Sequence, residues 1–181
     1  MLYSKSSTYT SEDYWSIPDG ERAELINGKF YELPTPNTIH QLLVGELSCA
    51  IHNYIDSIRI HDELIISPFA VNLTSNNQIY VEPDIIVVAD KTKINDRECT
   101  GAPDFIIEIV SPSSRKMDYS TKNALYSEAG VREYWVVDPE KGRTTVYRYE
   151  EDAAPMITPF SEPVKVGIYD DLSITIDDFL K

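Results

Sequence analysis

Phe105-Ile-Ile-Glu-Ile-Val110 is the stretch that leaves this chain the fewest ways to fold. Side chains alternate across a strand, so Phe105, Ile107 and Ile109 share one face, and Ile106 and Val110 flank Glu108 on the other. Both faces are apolar, which predicts a strand covered on both sides. A carboxylate on such a face is costly unless a cation meets it. Lys122 follows on a helical pattern, with Asp118 one turn before it and Tyr126 one turn after. That spacing projects all three from about the same side. A strand carboxylate with a returning helical lysine is therefore the arrangement to explain.

The rest of the chain reads as a frame for it. Thr10-Ser-Glu-Asp resembles a capping box and predicts a short helix through Trp15, stopped by Pro18 and Gly20. Residues 22–26 and 29–33 read as a β-hairpin, because Asn27-Gly28 suits the positive φ angles of a type I′ turn. Asn37 or Thr38 can cap a long helix whose apolar positions from Ile39 to Ile58 keep helical spacing. Two extended stretches follow, at 64–73 (broken by Pro68) and 79–88, separated by the polar turn 74–78. Residues 90–102 read as a surface loop. After the strand at 105–110, a helix is expected from about Tyr119 to Ala129, ending at Gly130. Residues 134–137 and 144–149 form a second hairpin, and residues 150–181 read as a peripheral tail.

The expected fold class is therefore mixed α/β, a mixed β-sheet flanked by helices with an N-terminal β-hairpin extension. The 181 residues suit one domain, divided into helix and hairpin (1–36), core (37–149) and tail (150–181). No run is long and apolar enough for a signal peptide or a membrane span, so a cytoplasmic protein is expected. Cys49 in the long helix and Cys99 in the loop suggest neither a disulfide nor a ligand cluster.

The net charge of −14 argues against a general polyanion binder, since phosphate binding is driven by Lys and Arg. The charge is uneven. Residues 1–90 carry 4 basic and 13 acidic side chains, residues 91–148 carry 10 and 9, and residues 149–181 carry 2 and 8. The segment with Glu108 and Lys122 is the one least repulsive to an anion.

Asp84, in Val81-Glu-Pro-Asp-Ile-Ile-Val-Val, opens a second buried-looking run much as Glu108 does. If the two strands are neighbours, the carboxylates converge and repel unless a cation sits between them. Mg2+ resolves that conflict, because it takes oxygen ligands and keeps several waters. Water on such a metal is a better nucleophile, and Lys122 would add a fixed positive charge at a reacting phosphate. The implied reaction is metal-assisted hydrolysis of a phosphodiester. Arg115 and Lys116 are candidates for guiding a phosphodiester substrate to the cleft, against the plainer role of loop-tip charges. Tyr126 and Trp135 are assigned to the core.

Pro83-Asp84 with Glu108-Ile109-Val110, and the lysine displaced to Lys122, resembles the PD-(D/E)XK nuclease superfamily. The fuller set is more specific. It comprises Ala-Glu-Leu-Ile-Asn-Gly at 23–28, His40, Glu-Pro-Asp at 82–84, Ala-Pro-Asp-Phe-Ile-Ile-Glu-Ile-Val-Ser-Pro-Ser at 102–113, Asp118-x3-Lys122-x3-Tyr126, and Ala-Gly-Val-Arg-Glu-Tyr-Trp-Val-Val-Asp-Pro at 129–139. Over nearly the whole chain this resembles the Uma-two family of restriction endonuclease-like proteins. The resemblance implies a restriction endonuclease-like core and a Mg2+- or Mn2+-dependent endonuclease acting on DNA, expected as a homodimer. In that reading Asp84 and Glu108 are metal ligands and Lys122 is the catalytic lysine. Glu24 becomes a further ligand or water-orienting group, and His40 a neighbour of the cleft. Position 110 is Val, where the superfamily's basic motif has Lys. The alternatives are a catalytically silent nucleic-acid- or protein-binding member of the fold and a phosphoesterase for small nucleotides.

Overall fold

The structure is a computed structural model, and it describes residues 8–74, 77–151 and 153–181. Part of the expected 74–78 turn lies outside the described residues. Two β-sheets and one long helix make the frame.

The N-terminal elements follow their local signals. Helix α1 (Ser11–Tyr14) begins at Thr10, whose backbone N–H donates to Asp13 Oδ2 at 3.0 Å. Strands β1 (Ala23–Ile26) and β2 (Lys29–Glu32) are joined through Asn27 at φ 50° and Gly28 at φ 71°, the left-handed turn that Asn-Gly permits. Helix α2 (Thr38–Ile58) is capped by Asn37, which accepts from the His40 N–H at 2.9 Å.

Each of the two extended stretches is divided rather than continuous. The first becomes β3 (Glu63–Ile66) and β4 (Ala70–Asn72), the second β5 (Ile79–Val81) and β6 (Ile85–Val88). Pro68 and Pro83 lie at the breaks, where a residue without a backbone donor cannot continue a ladder. The chain uses these breaks to change sheets. Strands β3 and β6 pair with each other in one sheet, and β4 and β5 in the other.

The 90–102 segment is more ordered than a surface loop, since it contains β7 (Glu98–Thr100), parallel to β4, with Cys99 fully buried. Strand β8 (Phe105–Ile109) is followed by a π-helical turn over Met117–Lys122 and then by α3 (Asn123–Ala129), which ends on Gly130 at φ 89°. Strands β9 (Glu133–Asp138) and β10 (Arg143–Arg148) form the second hairpin, and β11 (Met156–Pro159) adds to its edge. A small pair, β12 (Val164–Lys165) and β13 (Ser173–Ile174), closes the chain.

The larger sheet has the order β11-β10-β9-β8-β6-β3, and β8 and β9 pair in parallel, as a helical crossover between them requires. The smaller sheet has the order β2-β1-β5-β4-β7, so the N-terminal hairpin is an integral part of a sheet rather than an appendage. Both faces of β8 are covered. Phe105, Ile107 and Ile109 pack with Leu43, Leu47 and Ile51 of α2. Ile106 and Val110 pack with Val71 and Val81 of the smaller sheet and with Leu125 and Tyr126 of α3. Each such buried aliphatic side chain is worth about 1.5–3 kcal/mol, which is why this strand fixes the layering.

The tail is not peripheral. Phe160, Val164, Val166, Ile174 and Ile176 are buried in the cluster that includes α2 and β8. Glu133 ties the tail down: its Oε2 accepts from the Ile168 N–H at 3.0 Å, and its Oε1 accepts from Trp135 Nε1 at 2.6 Å. Among the described residues no helix is long and apolar enough to cross a membrane.

Candidate functional site

The two sheets meet at Lys122. Strands β6 and β8 are antiparallel neighbours with Ile85 opposite Ile107, so Asp84, one residue before β6, falls opposite Glu108. The convergence expected of these carboxylates follows from that register. Asp84 Oδ2 accepts the Ile109 N–H at 2.7 Å and lies 3.2 Å from His40 Nε2. The other ring nitrogen of His40, Nδ1, is 3.1 Å from Gln41 Oε1. Burial disfavours the charged imidazole, yet the Asp84 carboxylate outweighs it and raises the His40 pKa above its ordinary value.

Glu108 is buried, and its Oε1 accepts from Lys122 Nζ at 2.8 Å and from the Tyr126 hydroxyl at 2.7 Å. Lys122 Nζ also lies 2.7 Å from Glu24 Oε1, which in turn accepts the Glu82 N–H at 3.0 Å. Glu24 arrives on β1, so one ammonium joins the hairpin's sheet to the sheet of Glu108. The third carboxylate near it is Asp118, with Oδ1 at 3.9 Å. The start of the helix therefore supplies Asp118, Lys122 and Tyr126 on one side, as their spacing requires.

The electrostatics of this cluster are unbalanced. Burial opposes the charged form of Lys122, but Glu108, Glu24 and Asp118 hold its pKa well above normal, and it is an ammonium. Burial pushes Glu108 well above the carboxylate range; Lys122 pulls it down, while Asp84, Asp118 and Glu24 push it further up. Asp118 is pushed up to about 6, again chiefly by burial and against the pull of Lys122. Both Asp118 carboxylate oxygens are buried without a hydrogen-bond partner among the described residues. Four carboxylates thus face one lysine and one histidine.

Asp84, Glu108, Asp118, Lys122 and His40 line a cleft of about 360 Å3, whose other walls include Pro34 and Asn37 before α2 and the Ser111-Pro-Ser-Ser turn after β8. The donor set is all oxygen, carries excess negative charge, and leaves Asp118 with orphaned oxygens. It fits a hard divalent cation held by one or two carboxylates with water completing the shell. Among the described residues no group of three or more His, Cys, Asp or Glu side chains is placed to hold a metal ion, so an ion here would rest on two carboxylates and water.

Arg115 and Lys116 are not brought to the cleft. Arg115 is engaged by Asp138 and Glu140, and Lys116 is exposed at the start of the π-helical turn. The sequence pattern places Tyr126 in the core and gives it no further role. It is buried, but its hydroxyl also holds Glu108, and its position four residues after Lys122 was the available signal.

The same layered fold is found in the crystal structure of a "putative nuclease belonging to DUF820" from Anabaena variabilis, with a TM-score of 0.78. That likeness covers 94% of this chain and 96% of the other, at 21% identity. Residues 11–174 match Uma2, described as "Putative restriction endonuclease", and the chain belongs to that family. A curated relative, the uncharacterized protein slr1290 of Synechocystis sp., is 24% identical over 144 residues, which cover 78% of this chain and 74% of that protein.

Proposed function

We propose that the protein is a divalent-metal-dependent endonuclease that hydrolyses DNA phosphodiester bonds. The observation that carries this reading is the placement of Asp84 opposite Glu108 in a cleft where carboxylates outnumber cations. Asp84 and Glu108 would hold Mg2+ or Mn2+, which supplies a water of lowered pKa and neutralises phosphate charge. Lys122 keeps a fixed positive charge at the cleft floor and, with Tyr126, holds Glu108 in one orientation. Glu24 holds Lys122 from the other sheet. His40, at the cleft wall, orients Asp84. A homodimer would present one such site to each strand of a duplex, a state that light scattering reads directly.

The test is nicking of supercoiled plasmid with Mg2+ or Mn2+. Wild-type protein is expected to nick, chelation to stop it, and Asp84→Asn, Glu108→Gln and Lys122→Met to be inactive while folded. Nicking by Glu108→Gln at the wild-type rate sinks the assignment. The net charge of −14 and the engagement of Arg115 by two carboxylates favour, as a second reading, a phosphoesterase for small nucleotides. Cleavage of a small phosphodiester with plasmid left intact would select it.

A further inference from the structure

Among the described residues that line the cleft, Arg22, just before β1, is a half-exposed cation with open hydrogen-bond donors. Its guanidinium carries five N–H donors in a planar fork. Nε donates to Glu82 Oε2 at 3.0 Å, and Nη2 donates to the same oxygen at 2.8 Å and to Ser67 Oγ at 2.6 Å. Nη1 makes no hydrogen bond among the described residues, so two donors remain open. The side chain is 36% exposed and lines the cleft that holds Asp84, Glu108 and Lys122. Glu82, itself braced by the Tyr14 hydroxyl at 3.0 Å, lies two residues before Asp84. The anchor of the guanidinium and the carboxylate pair therefore share one wall.

We propose that Arg22 is a phosphate-anchoring residue: Nη1 takes a non-bridging oxygen of a nucleic-acid phosphate other than the one being hydrolysed. Lys122 cannot do this, because it is buried and engaged by two carboxylates. Both ring nitrogens of His40 already face Asp84 and Gln41. A phosphate chain entering this acidic cleft meets Arg22 as a cation with free donors. The guanidinium is already oriented by Glu82 and Ser67, so little side-chain freedom is lost when a phosphate oxygen arrives. The site would then take a substrate with at least two phosphates along a backbone. This rests on the nuclease reading and extends it.

The experiment measures binding of a short fluorescein-labelled DNA duplex by anisotropy, in Ca2+, across a salt series. Wild type, Arg22→Gln, Arg22→Lys, Arg22→Gln/Glu82→Gln and Arg115→Gln are compared. Arg22→Gln is expected to raise Kd about tenfold, as loss of a charge-assisted bond implies, and to reduce the salt slope by about one. Arg22→Lys is expected to keep the slope with an intermediate Kd, and Arg115→Gln to match wild type. The double variant, which leaves no unpaired Glu82 charge to disturb the fold, is expected to stay weak. Wild-type Kd and slope in Arg22→Gln, or recovery of wild-type affinity in the double variant, overturns the proposal while leaving the nuclease reading intact. No binding by wild-type protein overturns both.

Discussion

Asp118→Asn should stabilise this protein at neutral pH, and the gain should vanish in acid. Asp118 is 1% exposed, and its two carboxylate oxygens have no hydrogen-bond partner among the described residues. Burial raises its pKa from 3.8 to about 6, a shift that already includes the attraction of Lys122 and the weak, poorly aligned approach of the Ser114 hydroxyl. An acid whose folded pKa lies above its unfolded pKa favours folding when protonated. Wild-type stability therefore falls as pH rises from about 3.8 to about 6 and is level beyond. A rise from 3.8 to about 6 corresponds to a few kcal/mol, about 3 at most. An amide has the shape of the protonated acid and cannot ionise, so Asn escapes this loss. Lys122 keeps its ion pairs with Glu24 and Glu108 in the variant. The assay is urea unfolding of both proteins in chelator between about pH 4 and about pH 7.5. The curves should nearly coincide at the acid end and separate by at most about 3 kcal/mol in favour of Asn above about pH 6. A variant less stable than wild type at neutral pH, by a margin that does not change with pH, would refute the reasoning.

Two smaller perturbations test neighbouring parts of the frame. Tyr126→Phe removes the hydroxyl that donates to buried Glu108 at 2.7 Å, and should cost about 1–3 kcal/mol in the same unfolding assay, the range for a buried polar group that loses a hydrogen-bond partner. A loss below about 0.5 kcal/mol would mean that Glu108 is not held this way. Gly167→Ala places a Cβ 2.5 Å from Glu133 Oε2 and 2.7 Å from Arg148 Nε, so it should loosen the tail's anchor and cost about 1–3 kcal/mol. An unchanged thermal midpoint would show that the tail adapts freely there.

Much of the site was legible because its geometry is local. The period of two put Glu108 between Ile106 and Val110, and the smaller sheet and α3 do cover that face. Helical spacing put Asp118, Lys122 and Tyr126 together, although a π-helical turn carries part of the spacing. The Asn27-Gly28 signal set the hairpin's register without showing where the hairpin docks. Glu24 reaches Lys122 because β1 pairs with β5, a contact across more than fifty residues that no local pattern encodes. The same holds for the sheet changes at Pro68 and Pro83: the prolines announce the breaks but not that the two halves join different sheets. In the tail, Val164 and Val166, and then Ile174 and Ile176, alternate with polar residues, a signal masked by the surrounding acidic side chains. Arg22 carried no sequence signal as a cleft residue, since only the fold brings Ser67 and Glu82 to it.

Whether Asp84 and Glu108 together hold a divalent ion is read by isothermal titration with Mn2+. Wild type should bind Mn2+ at one site, with Mg2+ competing, while Asp84→Asn and Glu108→Gln should each lose at least about tenfold in affinity with folded-state circular dichroism preserved. Equal Mn2+ affinity in wild type and both variants would contradict the account.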